Sequence, residues 1–230
     1  MKVAIFDFDG TLFPEETFPL LMSHLKKHPI HFQKYRKFFL KLLPVYVAYK
    51  CKLYPEQKMK EYSMWSYIAA FGSSSKAEIE EFFSQIGGMM SQNLSNHMLT
   101  RLEQHKKEGY YTMLVSGAYE PLLNSVTSDV TFDCIIGSSI PYEDEKLSKN
   151  TSIHYIYGER KREFIHAHLS NTDVDWQNSF AYGDSYSDLN VLELVGNPVA
   201  VNPEPRLLEI ANHKKWEIIS EFDHKKSVSN

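Results

Sequence analysis

Apolar and polar positions follow one pattern after residue 100 and a different pattern before it. After residue 100, short apolar runs alternate with stretches of helical spacing. This alternation predicts strands at residues 111–115, 132–136, 179–182, 199–201 and 216–219, and helices at residues 121–126, 187–194 and 204–211. Strands that alternate with helices are typical of an α/β fold, in which a parallel sheet is covered by helices on both faces.

The beginning of the chain fits the same sheet. Val3–Phe6 is entirely apolar, which is typical of a strand at the centre of a parallel sheet. Residues 13–100 do not show the alternation, because they are rich in Lys, Glu, Leu, Met and aromatic residues at helical spacing. Glycine and serine at 72–75, and the glycine pair at 87–88, predict breaks between helices in this region.

The two patterns together predict a core with one insertion. We expect a Rossmann-like parallel sheet core formed by residues 1–12 and 101–230. A mostly helical cap domain, residues 13–100, is expected between the first and second strands of that sheet.

The composition is that of an ordinary globular protein, with 43% hydrophobic and 23% charged residues in a chain of 230. Cys51 and Cys134 are the only cysteines, so no disulfide framework is expected. The longest apolar region, residues 38–49, is interrupted by a lysine and a proline and is too short to span a bilayer. Because no long apolar stretch opens the chain, a cytoplasmic location is expected. The segment after Asp223 is predicted to be disordered.

Positive charge is concentrated in one part of the chain. The net charge is −4, yet residues 24–60 contain ten Lys or Arg and a single acidic residue, Glu56. Three interpretations are open: a solvated face of cap helices, attraction of an anionic substrate, or peripheral contact with an anionic membrane surface. The last rests on large apolar residues among the basic ones, namely Phe38, Phe39, Leu42, Leu43 and Tyr46. Nucleic-acid binding is not expected, since the whole chain is acidic and contains no known reader motif.

Four groups of polar residues lie at the ends of predicted strands or beside predicted helices. They are Asp7, Asp9 and Thr11 after the first strand, Ser116 and Gly117 after the strand at 111–115, Lys161 before an amphipathic helix, and Asp184 and Asp188 after the strand at 179–182. Ligands of parallel α/β sheets bind at the carboxyl ends of the strands. We therefore expect these four groups to converge at one edge of the sheet.

This set of side chains suits phosphoryl transfer. Asp7 and Asp184 can hold Mg²⁺, which prefers carboxylate oxygens. The cation, Lys161 and the hydroxyl of Thr11 or Ser116 can neutralise and orient a phosphate group. One carboxylate can attack phosphorus to give an aspartyl-phosphate, and a second carboxyl group can serve as general acid and base.

The same residues resemble the motifs of phosphatases of the haloacid dehalogenase superfamily. The family pattern D-x-D-x-T matches residues 7–11, G-E-x-K matches residues 158–161, and G-D-x-x-x-D matches residues 183–188. The resemblance implies that Asp7 is the nucleophile and that Asp9 is the acid/base.

The resemblance also implies how the remaining residues take part. Substrate would be bound by Thr11, Ser116, Gly117 and Lys161, and Mg²⁺ by Asp7, the backbone carbonyl of Asp9, and Asp184, with Asp188 supporting the site. The expected substrate is a small phosphorylated metabolite.

Residues 13–100 resemble the cap of the phosphoserine-phosphatase-like branch, in which the cap closes over the site and sets specificity. Glu16 matches a glutamate that binds the substrate ammonium group in that branch, although a glutamate in the first turn of a helix is also favoured by the helix dipole. The branch uses a cap arginine for the serine carboxylate, and no arginine occurs between Arg36 and Arg101. A glutamate without that arginine suits an amine-bearing leaving group without a carboxylate better than it suits phosphoserine. Other small phosphomonoesters are left open.

Two alternatives to a phosphatase are left open by the sequence. The first is a phosphotransferase that passes the phosphoryl group from the aspartyl intermediate to a second alcohol. The second is a non-catalytic relative that binds a membrane or a protein through the basic cap.

Overall fold

A six-stranded parallel sheet lies at the centre of the computed structural model, which describes residues 1–148 and 153–220. In these residues the strands are β1 (Val3–Phe6), β2 (Tyr111–Tyr119), β3 (Cys134–Ser138), β4 (Tyr142–Glu143), β5 (Lys146–Leu147), β6 (Phe180–Gly183), β7 (Asn197–Val201) and β8 (Glu217–Ile219). The order in the sheet is β3-β2-β1-β6-β7-β8, and β4 and β5 form a separate hairpin. The predicted α/β fold with a parallel sheet is confirmed.

Among the described residues, five helices lie between β1 and β2, and four more alternate with the later strands. In chain order they are α1 (Thr17–Lys27), α2 (Phe32–Lys50), α3 (Glu56–Ala69), α4 (Lys76–Met90), α5 (Asn96–Lys107), α6 (Glu120–Val126), α7 (Glu159–His168), α8 (Leu189–Leu192) and α9 (Pro205–Lys214). No helix of the described ranges has both the length and the apolar character needed to cross a bilayer. The prediction for the segment after Asp223 concerns residues outside those that the structure describes.

The central position of β1 follows from its apolar sequence. All four of its residues are buried, and it pairs in parallel with β2 on one side and β6 on the other. Val3 and Ile5 belong to one apolar cluster, whereas Ala4 and Phe6 belong to another that continues into the helical insertion. Alternating side chains of this one strand therefore hold both layers of the protein together.

Several predicted bounds are corrected by the structure. The strand predicted at 132–136 begins only at Cys134, since the Asp133 carboxylate accepts hydrogen bonds from the Thr112 backbone N–H and hydroxyl just before it. The helix predicted at 187–194 consists of a short 3-10 turn followed by the single turn of α8.

The glycine pair at 87–88 does not break a helix, so that prediction is wrong. Both glycines lie inside α4, and a Cβ at Gly87 would come within 2.1 Å of the Ser125 hydroxyl on α6. The absence of a side chain lets α4 and α6 approach closely. By contrast, the predicted break at 72–75 is present, because Ser75 and Glu78 form a capping box at the start of α4.

The two connections between the insertion and the sheet lie side by side. The Ser95 backbone N–H donates a hydrogen bond of 2.9 Å to the Leu12 carbonyl oxygen. Residue 100, the predicted boundary, lies inside α5, whose buried residues Met98 and Leu102 belong to the apolar cluster that contains Phe6. We propose that the cap domain begins after Leu12 and ends before α5.

Candidate active site

Asp7 continues the line of β1 at the carboxyl edge of the sheet. Its backbone N–H donates to the Tyr182 carbonyl oxygen at 2.9 Å, which extends the pairing of β1 with β6 by one residue. The chain then turns back, since the Thr11 and Phe13 backbone N–H groups both donate to the Phe8 carbonyl oxygen. The buried ring of Phe8 holds this turn in place. The positions of the neighbouring residues Asp7 and Asp9 are set by the same contact.

Gly10 is required in the turn for two reasons. Its φ of +71° is in the region that glycine adopts readily and other residues rarely do. In addition, a Cβ at this position would lie 2.2 Å from the Asp184 Oδ2 atom. The turn that carries Asp9 is thus packed directly against the carboxyl group of Asp184.

Lys161 links two acids of the site through its ammonium group. Its Nζ atom donates to the Oδ1 atoms of Asp7 and Asp188, each at 2.6 Å. The lysine is only 4% exposed, and it lies within the first turn of α7 rather than before the helix as predicted. A buried ammonium requires such partners, because leaving it unpaired away from water is costly.

Asp7, Asp184 and Asp188 form a compact acidic cluster. Each offers a carboxylate oxygen, and these atoms lie within 4.8 Å of one another. Burial, reinforced by the neighbouring carboxylates, raises the pKa of Asp7 to about 7 and that of Asp184 to about 9. Burial alone would lower the pKa of Lys161, but the Asp188 and Asp7 carboxylates outweigh it and raise that pKa.

The acidic cluster fits Mg²⁺. Burial and mutual repulsion favour the protonated carboxyl groups here, and a divalent cation would reverse that preference. With all three carboxylates ionised beside one ammonium group, the buried site would carry an excess of two negative charges, which such a cation would balance. The oxygen donors are those that Mg²⁺ prefers. The sequence predicted Asp7 and Asp184 as carboxylate ligands and Asp188 only as a supporting residue, yet Asp188 belongs to the same cluster. The Lys161 ammonium group lies between Asp188 and Asp7.

Asp9 lies against the first helix of the insertion. The Thr17 hydroxyl, at the start of α1, donates a hydrogen bond to the Asp9 Oδ1 atom. Burial raises the pKa of Asp9 to about 8, the negative charges of Glu16 and Asp7 add to the rise, and the Thr17 hydrogen bond opposes it. Asp9 therefore holds a proton at neutral pH. The sequence assigned no contact to Thr17.

Ser116 and Gly117 lie at the same edge of the sheet as Asp7. Phe6, the last residue of β1, pairs with Leu114, so the part of β2 beyond Leu114 extends past the end of β1, where Asp7 lies. β2 itself continues to Tyr119. The Ser116 hydroxyl accepts a hydrogen bond of 3.1 Å from the Ala118 backbone N–H. A Cβ at Gly117 would lie 2.9 Å from the Ile156 carbonyl oxygen, so this position also leaves little room for a side chain.

The Thr11 hydroxyl is buried and has no hydrogen-bond partner among the described residues. A buried hydroxyl without a partner costs about 1–3 kcal/mol. We expect such a group to gain a partner when a ligand binds.

The sequence missed several residues that line the insertion side of the site. Tyr155 is buried. Its burial is the main reason that its pKa is raised, and the negative charges of Asp9 and Glu16 add to the rise. The Arg160 guanidinium donates to the Tyr155 carbonyl oxygen at 3.2 Å and to the Glu61 carboxylate on α3 at 3.3 Å. Tyr155 lies before α7 and Arg160 in its first turn. The sequence around them has no periodic pattern, so it gave no signal that either residue lies near the site.

Comparison with known proteins defines the class of this chain. Residues 4–193 match the family model of the haloacid dehalogenase-like hydrolases. The chain therefore belongs to the haloacid dehalogenase-like hydrolase family, as the resemblance of its motifs predicted.

Two curated relatives carry names that describe phosphatases. A probable phosphatase of Mycobacterium tuberculosis is 28% identical over 116 residues, which are 50% of this chain and 40% of that protein. A histidinol-phosphatase of Neisseria meningitidis is 25% identical over 160 residues, which are 67% of this chain and 72% of that protein. The chain spans less than half the length of the first curated relatives that it matches.

Among solved structures, a phosphoserine phosphatase that holds an analogue of the phospho-aspartyl intermediate has the same fold. The TM-score is 0.60 at 18% sequence identity, over 96% of this chain and 93% of that one. This chain and that phosphatase therefore share one fold.

Proposed function

We propose that this chain is a Mg²⁺-dependent phosphatase that hydrolyses a small phosphomonoester through an aspartyl-phosphate on Asp7. The observation that carries the proposal is the buried cluster at the ends of β1 and β6. There, the Asp7 carboxylate accepts a 2.6 Å hydrogen bond from Lys161 and lies beside Asp184 and Asp188. Membership of a hydrolase family and two relatives named as phosphatases support the same conclusion.

The reaction that we propose has two steps. In the first, a carboxylate oxygen of Asp7 attacks phosphorus, the bond from phosphorus to the alcohol oxygen breaks, and Asp9 gives its proton to that oxygen. In the second, Asp9 takes a proton from water while the water oxygen attacks phosphorus. Inorganic phosphate leaves, and the carboxylate of Asp7 is regenerated. A pKa of about 8 gives Asp9 the proton that the first step requires at neutral pH.

The other residues of the site hold and neutralise the phosphate group in this proposal. Asp7, Asp184 and the backbone carbonyl of Asp9 would hold Mg²⁺, and the bound cation would offset negative charge on the phosphate oxygens. Lys161 supplies a positive charge fixed in place by two carboxylates. Thr11, Ser116 and Gly117 are assigned to the phosphate oxygens, and the partnerless hydroxyl of Thr11 supports that assignment.

We further propose that the alcohol carries an amine and no carboxylate. Glu16 is exposed at the N-cap of α1, and its charge contributes to the raised pKa of Asp9, so it lies beside the acid/base. The insertion offers no arginine after Arg36 for a substrate carboxylate, and the ammonium of Lys60 already pairs with Glu56 at 3.0 Å. The name of the Neisseria relative, histidinol-phosphatase, agrees with such a leaving group.

The test is turnover of an aryl phosphate with Mg²⁺, followed by a panel of phosphoethanolamine, histidinol phosphate, phosphoserine and sugar phosphates. Asp7→Asn should abolish turnover of every substrate while the circular dichroism spectrum stays unchanged. Asp129→Asn, at an exposed aspartate outside the site, is the matched control. Turnover by Asp7→Asn at the wild-type rate would exclude Asp7 as nucleophile. Glu16→Gln should raise KM for the amine substrates alone, whereas the neighbouring Glu15→Gln should leave it unchanged.

Added alcohols separate hydrolysis from phosphotransfer in the same assay. A phosphatase releases inorganic phosphate in the presence of competing alcohols, whereas a phosphotransferase converts those alcohols to new phosphomonoesters.

A further inference from the structure

Exposed apolar side chains are concentrated on one helix of the insertion. Of the twelve large hydrophobic residues that are exposed in the described part of the chain, eight lie at residues 30–53. They are Ile30, Phe32, Phe39, Leu40, Leu43, Tyr46, Val47 and Leu53. Single exposed apolar residues are common on protein surfaces, but a contiguous group marks an interaction site.

These residues cover a face of α2 that the rest of the protein does not use. Phe38 and Leu42 are the buried residues of the helix and attach it to the insertion. At about 100° per residue, Leu40 and Val47 lie opposite that buried side, and Phe39 and Leu43 lie between the two sides. The helix is therefore apolar on the side that packs and also on the opposite side. Leu40, on this second side, is 66% exposed.

Positive charge is concentrated in the same part of the chain as the exposed apolar face. Residues 24–60 contain ten Lys or Arg, and the single acid in this range, Glu56, pairs with Lys60. Arg36, Lys37 and Lys52 are exposed and form no ion pair within the described residues. An apolar helix face with an excess of basic residues is complementary to a bilayer that carries anionic headgroups.

We propose that α2 with its flanking residues 30–53 docks the protein on the surface of an anionic lipid bilayer. The apolar side chains enter the boundary between headgroups and acyl chains, and the lysine and arginine side chains bind headgroup phosphates. A second copy of the chain is a poorer occupant of this face, because two copies would bring like charges together. This inference does not depend on the proposed phosphatase activity.

The test is sedimentation of the full chain with vesicles of phosphatidylcholine alone or mixed with phosphatidylglycerol. Wild-type protein should bind the mixed vesicles, bind phosphatidylcholine far less, and be released at about 1 M salt, where charge is screened within about 3 Å. The triple variant Phe39→Gln/Leu43→Gln/Val47→Gln should lose binding. Met89→Gln/Leu208→Gln, which alters exposed apolar residues away from α2, should bind like wild type.

A second pair of variants tests the charges separately. Arg36→Gln/Lys37→Gln should bind mixed vesicles about 30-fold more weakly, since each basic residue near an anionic surface contributes about fivefold. Lys107→Gln/Lys215→Gln removes the same charge from exposed positions on α5 and after α9 and should have little effect. Thermal unfolding of each variant checks that the fold is intact.

Three outcomes would overturn the proposal. They are no sedimentation with either vesicle, equal binding to both vesicles, and equal loss in the control variants. A wild-type dimer that becomes monomeric in the triple variant, with no vesicle binding, would instead assign the face to a second copy of the chain.

Discussion

Replacement of Gly10 by alanine tests whether the turn after β1 positions the carboxyl group of Asp184. The added Cβ would lie 2.2 Å from Asp184 Oδ2 and 2.4 Å from its Cγ atom. Carbon atoms in contact are normally about 3.5–4.0 Å apart. The carboxyl group or the turn must therefore move by roughly 1 Å, and a misplacement of this size at a reacting centre can cost about 100-fold in rate.

Gly72→Ala separates this displacement from backbone strain. Gly72 has φ +63°, close to the +71° of Gly10, but no atom lies within 4 Å of a Cβ added there. An alanine at positive φ costs about 1–2 kcal/mol at either site. Only Gly10→Ala adds the contact with Asp184.

The two variants are compared by urea unfolding, by turnover of an aryl phosphate, and by titration with Mg²⁺. Gly72→Ala should lose about 1–2 kcal/mol of unfolding free energy with unchanged turnover. Gly10→Ala should in addition lose about 100-fold in turnover and bind Mg²⁺ more weakly. If Gly10→Ala matched Gly72→Ala in turnover and in Mg²⁺ affinity, the turn would not position Asp184, and the reasoning would be refuted.

Three further predictions concern charged or titratable groups. Lys161→Met leaves Asp7 and Asp188 buried without their ammonium partner, so the unfolding free energy should fall by up to ~3–5 kcal/mol. The loss should be larger at pH 8 than at pH 6, because protonation, which removes the unpaired buried charge, is less favourable at the higher pH. An equal loss at the two pH values would contradict this. Mg²⁺ should raise the Tm in differential scanning fluorimetry more at pH 8 than at pH 6, since the pKa of Asp7 is about 7 without the cation; a shift independent of pH would count against the site. Burial lowers the pKa of His105 to about 4, beside the Tyr182 hydroxyl at 2.7 Å. A histidine in the unfolded chain titrates near pH 6.5. The contribution of neutral His105 to the unfolding free energy is therefore fully present above about pH 6.5 and decreases by ~3 kcal/mol as the pH falls to about 4. In urea unfolding, His105→Gln should lack this component, and an unchanged pH slope would disprove its assignment.

The acidic cluster could be predicted from sequence because two strong rules act together. Carboxylates and a lysine are rarely buried without a charged partner, and parallel strands bring their carboxyl ends to one edge. The short apolar runs fixed which residues follow each strand, so Asp7 and Asp184 were expected to meet. Their shared neighbour Lys161 comes from a helix, and only the motif spacing distinguished it from Arg160 and Arg162.

Features that depend on contacts between distant elements could not be predicted. The hairpin of β4 and β5 turns through Asp144 and Glu145, both at positive φ without a glycine, so the usual turn signal is missing. Gly87 resembles a helix break in sequence, and only the proximity of Ser125 explains why a glycine lies inside α4.

Helices of the insertion contact residues of the candidate site directly. The Thr17 hydroxyl on α1 donates to Asp9, and Glu61 on α3 binds Arg160, the neighbour of Lys161. Both contacts join the helical insertion to residues at the edge of the sheet. The raised pKa of Asp9 results first from burial, and α1 forms part of that burial. Movement of α1 away from the turn would reduce the burial that raises the pKa of Asp9, and it would also remove the Thr17 hydrogen bond that lowers that pKa. The protonation of Asp9 that the proposed reaction requires is therefore coupled to the position of α1.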